Sequence, residues 1–354
     1  MIEKLTTEAI ALLKQLIETQ SFSSEEDKTA LLIENWFISY KIPFNRNKNN
    51  VWATNMYFDE KKPTLLLNSH HDTVKPNSGY TKNPLKAIVE DGKLFGLGSN
   101  DAGGCLASLI ATFTYFYKEK DLSYNLVIVA SAEEENSGPN GLNSMLKIIP
   151  KVDVAIVGEP TLMNLAIAEK GLVVFDAKVK GTASHAAHPN ADNAIYNTVD
   201  VLKWFQDYRF EKKSPVLGDV KMTVTQIKAG KQHNAVPAEV ELVVDVRVND
   251  KYTNQDIADI LTKNSPCTSI IARSLRLNSS SIPIHHDLVK AGTELGRETY
   301  GSPTLSDQSV LTCPSLKLGP GDSTRSHTAN EFIYLTEIEE GIKIYVELLN
   351  RVIV

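Results

Sequence analysis

Cysteine is scarce in this chain of 354 residues: Cys105, Cys267 and Cys313 are all there are. Their number is odd and no two show CxxC spacing, so neither a disulfide framework nor a thiolate zinc site is expected. Small buried thiols in a reducing cytoplasm fit better. Long apolar runs are missing as well. No stretch approaches the roughly 18 apolar residues of a membrane-spanning helix. The start, MIEKLTTEAIALLKQL, spaces its apolar residues as an amphipathic helix and not as a secretion signal. Positive charge is in deficit: 37 Lys and Arg stand against 43 Asp and Glu, a formal net charge of -6. That balance argues against nucleic acid and anionic membranes as partners. There is no internal repeat and no low-complexity stretch.

What is present is length, more than one hydrophobic core usually holds, so two domains are expected. The runs TLLLN (64–68), NLVIVAS (125–131) and VAIV (154–157) are nearly all apolar. Strands of that kind are covered on both faces. Between the first two lies AGGCLASLIATFTYFY (102–117), long enough for a helix, with Asn100 or Asp101 placed to cap its start. Strand, helix and strand in alternation read as an α/β domain. From Leu172 the texture changes. LVVFDAKVKG, VKMTVTQIKAG and EVELVVDVRV alternate apolar with polar residues, the mark of strands with one wet face. Helical segments at 193–207 and 254–263 separate them, giving strand, helix, strand, strand, helix, strand: a ferredoxin-like α+β layout. Around 282–286 the first style returns, and the tail reads as a helix. The expected fold is therefore two-domain: residues 1–171 and 284–354 form the α/β domain, and 172–283 an inserted α+β domain.

The chemistry gathers at strand ends. In an open α/β sheet, ligands bind outside the carboxyl ends of the strands. His70 and Asp72 follow one apolar run, Glu133, Glu134 and Glu135 another, and Glu159 a third; Asp101 stands at a helix start. Each piece alone is ordinary, since HxD is common on surfaces, EEE is usually a solvated face and Asp101 a cap. Their joint position is not ordinary. Clustered carboxylates repel and shift one another's protonation, and a bound dication removes the conflict. Mixed His and carboxylate ligands suit zinc, and also cobalt or manganese. Two ions about 3.5–4 Å apart need one bridging carboxylate, a place Asp101 can fill. Adjacent glutamates allow one to ligate while its neighbour moves a proton.

The pieces SHHDTV, GLGSNDAGG, SAEEENSG, VGEPT, GTASHAAHP, NAVP with DVR, and SHTANEF run in order along essentially the whole chain. With them the sequence resembles the dinuclear zinc amidohydrolases that include acetylornithine deacetylase, succinyl-diaminopimelate desuccinylase, aminoacylases and the glutamate-releasing carboxypeptidases. The resemblance implies two divalent ions, zinc with cobalt as the alternative. It implies that His70 and Glu159 hold one, Glu135 and His327 the other, and that Asp101 bridges. Glu134 is implied as general base and acid, with Asp72 orienting His70 from behind. The inserted domain is implied to pair subunits into a homodimer and to carry His185 to the reaction site of the other subunit, as a ligand to the oxyanion; His188 is its nearby rival. Asn234 and Arg247 resemble substrate contacts, although Arg247 lies on an alternating strand where a cross-strand ion pair is the alternative. His71, His233, His285 and His286 gain no role and read as structural or exposed. Two departures stand out: the lysine often found two residues after the bridging aspartate is absent in Asp101-Ala102-Gly103-Gly104, and Glu133 replaces a usual aspartate.

The reaction so implied is hydrolysis of an N-acyl amino acid, N-acetylornithine or N-succinylornithine to ornithine in arginine biosynthesis, by a cytoplasmic enzyme. The alternatives are a succinyl-diaminopimelate desuccinylase and a di- or tripeptide aminopeptidase. A non-catalytic metal-binding scaffold is expected to lack Glu134, Glu135 or His327, and all are present. Backbone N–H groups of Gly319 and Gly321, or the guanidinium of Arg325, are offered to a substrate carboxylate, with a surface pair to Glu331 as the other reading of Arg325.

Overall fold

The computed structural model describes residues 1–354. The chain forms two compact units: Met1–Ile167 with Ser281–Tyr300 and Ser306–Val354, and Ala168–Ser280 with Gly301–Leu305. The smaller unit thus starts ahead of Leu172, ends before residue 283, and recruits a short return segment at 301–305 that no sequence pattern marks. No helix is long and apolar enough to cross a membrane.

In the larger unit the strand Thr64–His70 lies between Asn125–Ser131 and Val154–Val157 and runs parallel to both. Ser315–Lys317 extends the sheet, again parallel, beyond Val154–Val157. Every residue of the first three strands is buried, which is why their sequences show no polar alternation. Successive side chains go to opposite faces. Leu65 and Leu67 join a core built with the helices Ile2–Ile17, Gly104–Phe116 and Leu335–Ile353, whereas Leu66 packs with Val127, Val129, Leu142 and Met145 on the other side. Gly104–Phe116 is buried almost all round, so its apolar residues follow no single stripe.

That helix does not begin as its sequence reads. Residues Ser99–Gly103 form a wide turn of π-helical character, with Asp101 in non-helical geometry (φ -116°, ψ 99°), and no side chain caps the helix. Asn100 instead exchanges hydrogen bonds with the backbone of Asp322, at 3.1 and 3.0 Å. The cap expectation for Asn100 and Asp101 is therefore corrected: the N–H groups of this turn have another acceptor, described below.

In the smaller unit the strands lie in the order Lys221–Ala229, Glu239–Val248, Gly171–Lys180, Ser269–Ala272, all antiparallel. Helices Ala194–Asp207 and Asn254–Asn264 supply Val201, Phe205, Ile257 and Leu261 to a core with Val173, Phe175, Val240, Leu242 and Val244. Asn193 caps the first helix through Ile195 N–H at 2.9 Å, and Thr253 with Asp256 makes a reciprocal capping box on the second. The opposite sheet face carries the ion pairs Lys178–Glu239 and Arg273–Asp176. The three cysteines are unpaired; Cys105 is buried, but Cys267 and Cys313 are only half-buried, short of the burial expected for all.

Leu349, fully buried in the core of the larger unit, sets a scale for packing. Leu349→Ala is expected to lower the unfolding free energy by about 2–5 kcal/mol, measured by urea denaturation; a loss below ~1 kcal/mol would contradict the packing described.

Candidate metal centre

Three parallel strands end on one edge of the sheet, and each end delivers a side chain. His70 is the last residue of its strand, with Asp72 two beyond; Glu133, Glu134 and Glu135 follow Ser131; Glu159 follows Val157 after one glycine. Only glycine fits at that step, since a Cβ on Gly158 would lie 2.7 Å from Leu109 and 3.0 Å from Ser69. Asp101 comes from the wide turn, and His327 from a loop where its own φ is 59°.

These segments converge. His70 Nε2 lies 3.3 Å from Asp101 Oδ1, 3.9 Å from Glu159 and 4.0 Å from Glu134. His327 Nε2 lies 2.9 Å from Glu135 Oε2 and 3.7 Å from Asp101 Oδ2. One donor atom from each of His70, Asp101 and Glu159 falls within 4.8 Å of the others, and the same holds for Asp101, Glu135 and His327. The two triads share Asp101, which shows one oxygen to each. Glu134 stands beside the first triad and belongs to neither.

A ring of buried polar groups holds the cluster. His70 Nδ1 donates to the backbone carbonyl of Asp72 at 3.0 Å, with the Asp72 carboxylate at 3.4 Å, which turns Nε2 towards the cluster and Asp101 Oδ1. The carbonyl is thus the nearer partner, where the carboxylate is the one expected. The Asp72 carboxylate accepts the N–H of Glu134 at 3.0 Å, the N–H of Glu135 at 3.1 Å and the hydroxyl of Ser23 at 2.7 Å. It therefore holds the loop of the two glutamates as well as the imidazole. Glu133 turns away, its oxygens accepting from the backbone and side chain of Asn140. Two supports were not singled out from sequence. Glu26, fully buried, accepts the N–H groups of Ser24 and Glu133 and the amide of Asn49. Glu331, 2% exposed, accepts from Gly98, Asn100 and Asp101. A signal did exist for Glu331, which stands in the SHTANEF segment; Glu26 lies in SSEED, where it reads as a helix start. His71 is buried between Thr29 Oγ1 at 2.8 Å and Asn49 O at 2.9 Å, and burial pulls its pKa down to about 4. It is structural.

The electrostatics are those of a site short of positive charge. Burial and then the Asp101 charge push Glu159 up to about 8, and burial pushes Glu134 well above its ordinary range. The hydrogen bond it donates to Glu135 draws His327 up to about 9. Burial acts to lower His70, but bonds to Asp101 and Asp72 raise it well above normal. Acids that resist ionising beside imidazoles that hold protons are the protein's answer to crowded carboxylates. Divalent cations resolve the same conflict, and the donor set of two imidazoles and carboxylates fits them.

The family described as peptidase family M20/M25/M40 matches residues 66–351. The chain belongs to that family. It is an M20 hydrolase, of the metallopeptidase and amidohydrolase kind. It is similar to the acetylornithine deacetylase of Proteus mirabilis, 28% identical over 375 residues with 97% of this chain and 96% of that protein covered. It is also similar to the succinyl-diaminopimelate desuccinylase of Rickettsia felis, 24% identical over 377 residues with 96% and 99% covered. Among solved structures, a dinuclear metal-binding peptidase of the M20 family from Bacillus subtilis shares the fold at a TM-score of 0.76, with 16% identity and 98% of each chain covered. A tripeptidase of Staphylococcus aureus does so at 0.75, with 18% identity and 97% of each chain covered.

The remaining M20 candidates lie apart from this cluster in sequence. His185, Asn234 and Arg247 belong to the smaller unit. His185 is exposed, its Nδ1 accepting from Ala187 N–H at 3.1 Å, with the His188 ring 5.7 Å away. Asn234 is exposed and its carbonyl accepts from Ala186. Arg247 makes a two-pronged pair with Asp245, two residues along its own strand and not across strands. Arg325 pairs with Glu337 through both nitrogens, not with Glu331 as the sequence allowed. The Gly319 N–H is already used by Thr161 Oγ1, so of the two glycines it has no free donor. His233 and His285 are exposed, and His286 caps the helix Asp287–Glu294.

If this cluster gathers ions, they bind the folded chain and stabilise it. Zn²⁺ or Co²⁺ at a hundredfold excess over its Kd is expected to add about 2.7 kcal/mol, seen as a rise in Tm that chelator reverses; an unchanged Tm would exclude binding.

Proposed function

We propose that this enzyme hydrolyses the N-acyl amide of a small amino acid, with N-acetylornithine or N-succinylornithine as substrate and ornithine as product. The observation that carries the reading is the pair of triads joined at Asp101, with an unligated Glu134 next to them. His70 and Glu159 would hold one divalent ion and Glu135 and His327 the other, zinc or cobalt, with Asp101 between. When bound, such ions polarise a carbonyl and bring a water's pKa near 7. Glu134 takes the proton of the attacking water and passes it to the leaving amine. Its position allows this: it is beside His70, and its backbone is fixed by Asp72. Asp72 also keeps the His70 ring and both glutamates in register. The choice of ornithine rests on similarity to acetylornithine deacetylases along nearly the whole chain. A desuccinylase is the second reading, for the same kind of reason.

His185 is assigned to the reaction site of the other subunit in a homodimer, and Asn234 and Arg247 to substrate contacts. The smaller unit offers a surface for such pairing: on its first helix Ile195, Tyr196 and Val199 are 44%, 73% and 61% exposed, and Lys221–Ala229 is an edge strand. Apolar side chains grouped on one helix face seek cover. Unpaired cysteines accord with a reducing, cytoplasmic setting.

Glu134→Ala is expected to keep its metal and lose turnover by about 10²–10⁴-fold, the usual yield of general acid–base catalysis; near-native rates would remove Glu134 from the mechanism. For the substrate, kcat/KM is to be compared for N-acetylornithine, N-succinylornithine, succinyl-diaminopimelate and small free-amine peptides on zinc- and cobalt-loaded protein. An ornithine derivative should lead. Turnover confined to the peptides would replace this proposal with an aminopeptidase.

A further inference from the structure

The turn that carries Asp101 does not hold itself in place. Within it, Ser99 N–H is taken by Gly96 O at 3.1 Å and Gly103 N–H by Gly98 O at 3.0 Å. Gly98 has φ 75°, and Asp101 departs from helical geometry. This path aims the N–H groups of Gly98, Asn100 and Asp101 to one side, where they meet a single group: Glu331 Oε2 accepts from Gly98 at 3.1 Å, and Oε1 accepts from Asn100 at 2.8 Å and Asp101 at 2.9 Å. The Glu331 carbonyl takes a fourth, Gly96 N–H, at 3.0 Å. The two oxygens of a carboxyl group offer several lone-pair positions, enough to serve all three amides at once. A glutamine has one oxygen and must turn an NH₂ towards an N–H.

Glu331 also stands four residues after His327, in a loop anchored by its neighbours. Asn330 accepts from the N–H groups of Thr81 and Lys82 at 3.0 Å, and Asn77 donates to the His327 carbonyl at 3.1 Å. One buried side chain thus ties the segment bearing His327 to the segment bearing Asp101, two positions far apart in the chain that supply the same triad.

We propose that Glu331 is a positioning residue of the metal centre: through the backbone of Gly98–Asp101 it places the shared carboxylate relative to His327, without touching ion or substrate. This rests on the reading of Asp101 as the shared ligand. Residues behind metal ligands typically carry 10–100-fold in metal affinity.

The test is metal affinity by chelator competition with Zn²⁺ on the full-length enzyme, wild type and Glu331→Gln. The expected result is a 10–100-fold weaker hold on at least one of two equivalents, a fall in kcat exceeding any change in KM, and recovery of part of the rate at excess Zn²⁺. Leu349→Ala is the control for lost stability alone and should bind zinc as wild type does. Wild-type affinity in Glu331→Gln, or an equal loss in Leu349→Ala, overturns the proposal. Should Glu331→Gln not fold, Glu331→Asp decides, since its carboxylate is drawn back by one methylene: weakened zinc binding supports the role and unchanged binding ends it. Amide exchange on metal-free wild type is independent of any variant, and Gly98, Asn100 and Asp101 should be protected; free exchange there removes the bonds on which the argument stands. Failure of wild type to bind zinc at all would instead sink the metal reading itself.

Discussion

Negative charge packed into a largely buried corner is the constraint around which this molecule is arranged. Asp72, Asp101, Glu134, Glu135 and Glu159 meet within a few ångströms of two imidazoles. Ionised carboxylates in low dielectric are costly unless something of opposite sign or a set of hydrogen-bond donors answers them. The chain answers some and leaves the rest. Asp72 is answered: burial works to raise it, yet His70, Ser23 and the Glu134 N–H hold it below the ordinary value. Glu159 is not, and burial with Asp101 drives it up to about 8. Asp101, common to both triads, is answered as well, since burial works to raise it and His70 holds it below the ordinary value, so the unrelieved conflict is confined to Glu134 and Glu159.

The sheet makes this crowding possible. At the carboxyl ends of parallel strands the chain leaves its ladder, and the loop N–H groups that no longer pair with strands become donors for acids. Asp72 and Glu26 exploit this, taking backbone N–H groups from the Glu134–Glu135 loop and from Glu133; Glu331 does the same for the Asp101 turn, which follows the antiparallel strand Lys93–Phe95. Ligand loops are thereby fixed by carboxylates from other loops, so the rigidity of the site depends on residues that chemistry would not pick out. The same device holds Glu133, whose N–H Glu26 accepts, in its left-handed conformation (φ 55°).

How much of this was legible follows from the same physics. All-apolar strands such as Asn125–Ser131 are legible because burial on both faces leaves a composition that nothing else produces, and the alternation in Gly171–Lys180 is legible because one face is wet. Short strands such as Ser315–Lys317 and Ile88–Glu90 carry too few residues to show a period. The Ser99–Gly103 turn was misread because Ser, Asn and Asp before an apolar run look like a helix cap whichever way the backbone turns. Glu26 and Glu331 were passed over because their partners are main-chain amides, which every residue has. His327 was reachable only through the resemblance of SHTANEF to a known family. Arg325 was assigned the wrong glutamate because Glu331 is near in sequence, whereas Glu337 sits in the first turn of the following helix and faces it.

The arginines bear on how a substrate carboxylate is met. Arg325 and Arg247 both reach a carboxylate through two nitrogens, but the pairs differ in depth. Arg325 and Glu337 are 16% and 18% exposed, and the guanidinium also lies 4.8 Å from the Phe332 ring centre and 5.1 Å from that of Tyr334. Breaking that arrangement would strand Glu337, the residue that also accepts Tyr334 N–H at the start of the last helix. Arg247 and Asp245 are 34% and 26% exposed and stand two apart on one strand. Fully exposed pairs are worth about 0–1 kcal/mol, and this pair is nearer that limit than the Arg325 one. On the proposed reading Arg247 would have the lesser partner to give up, whereas Arg325 is bound into the fold. Of the two guanidiniums the sequence puts forward, the weakly paired one is the better candidate for substrate.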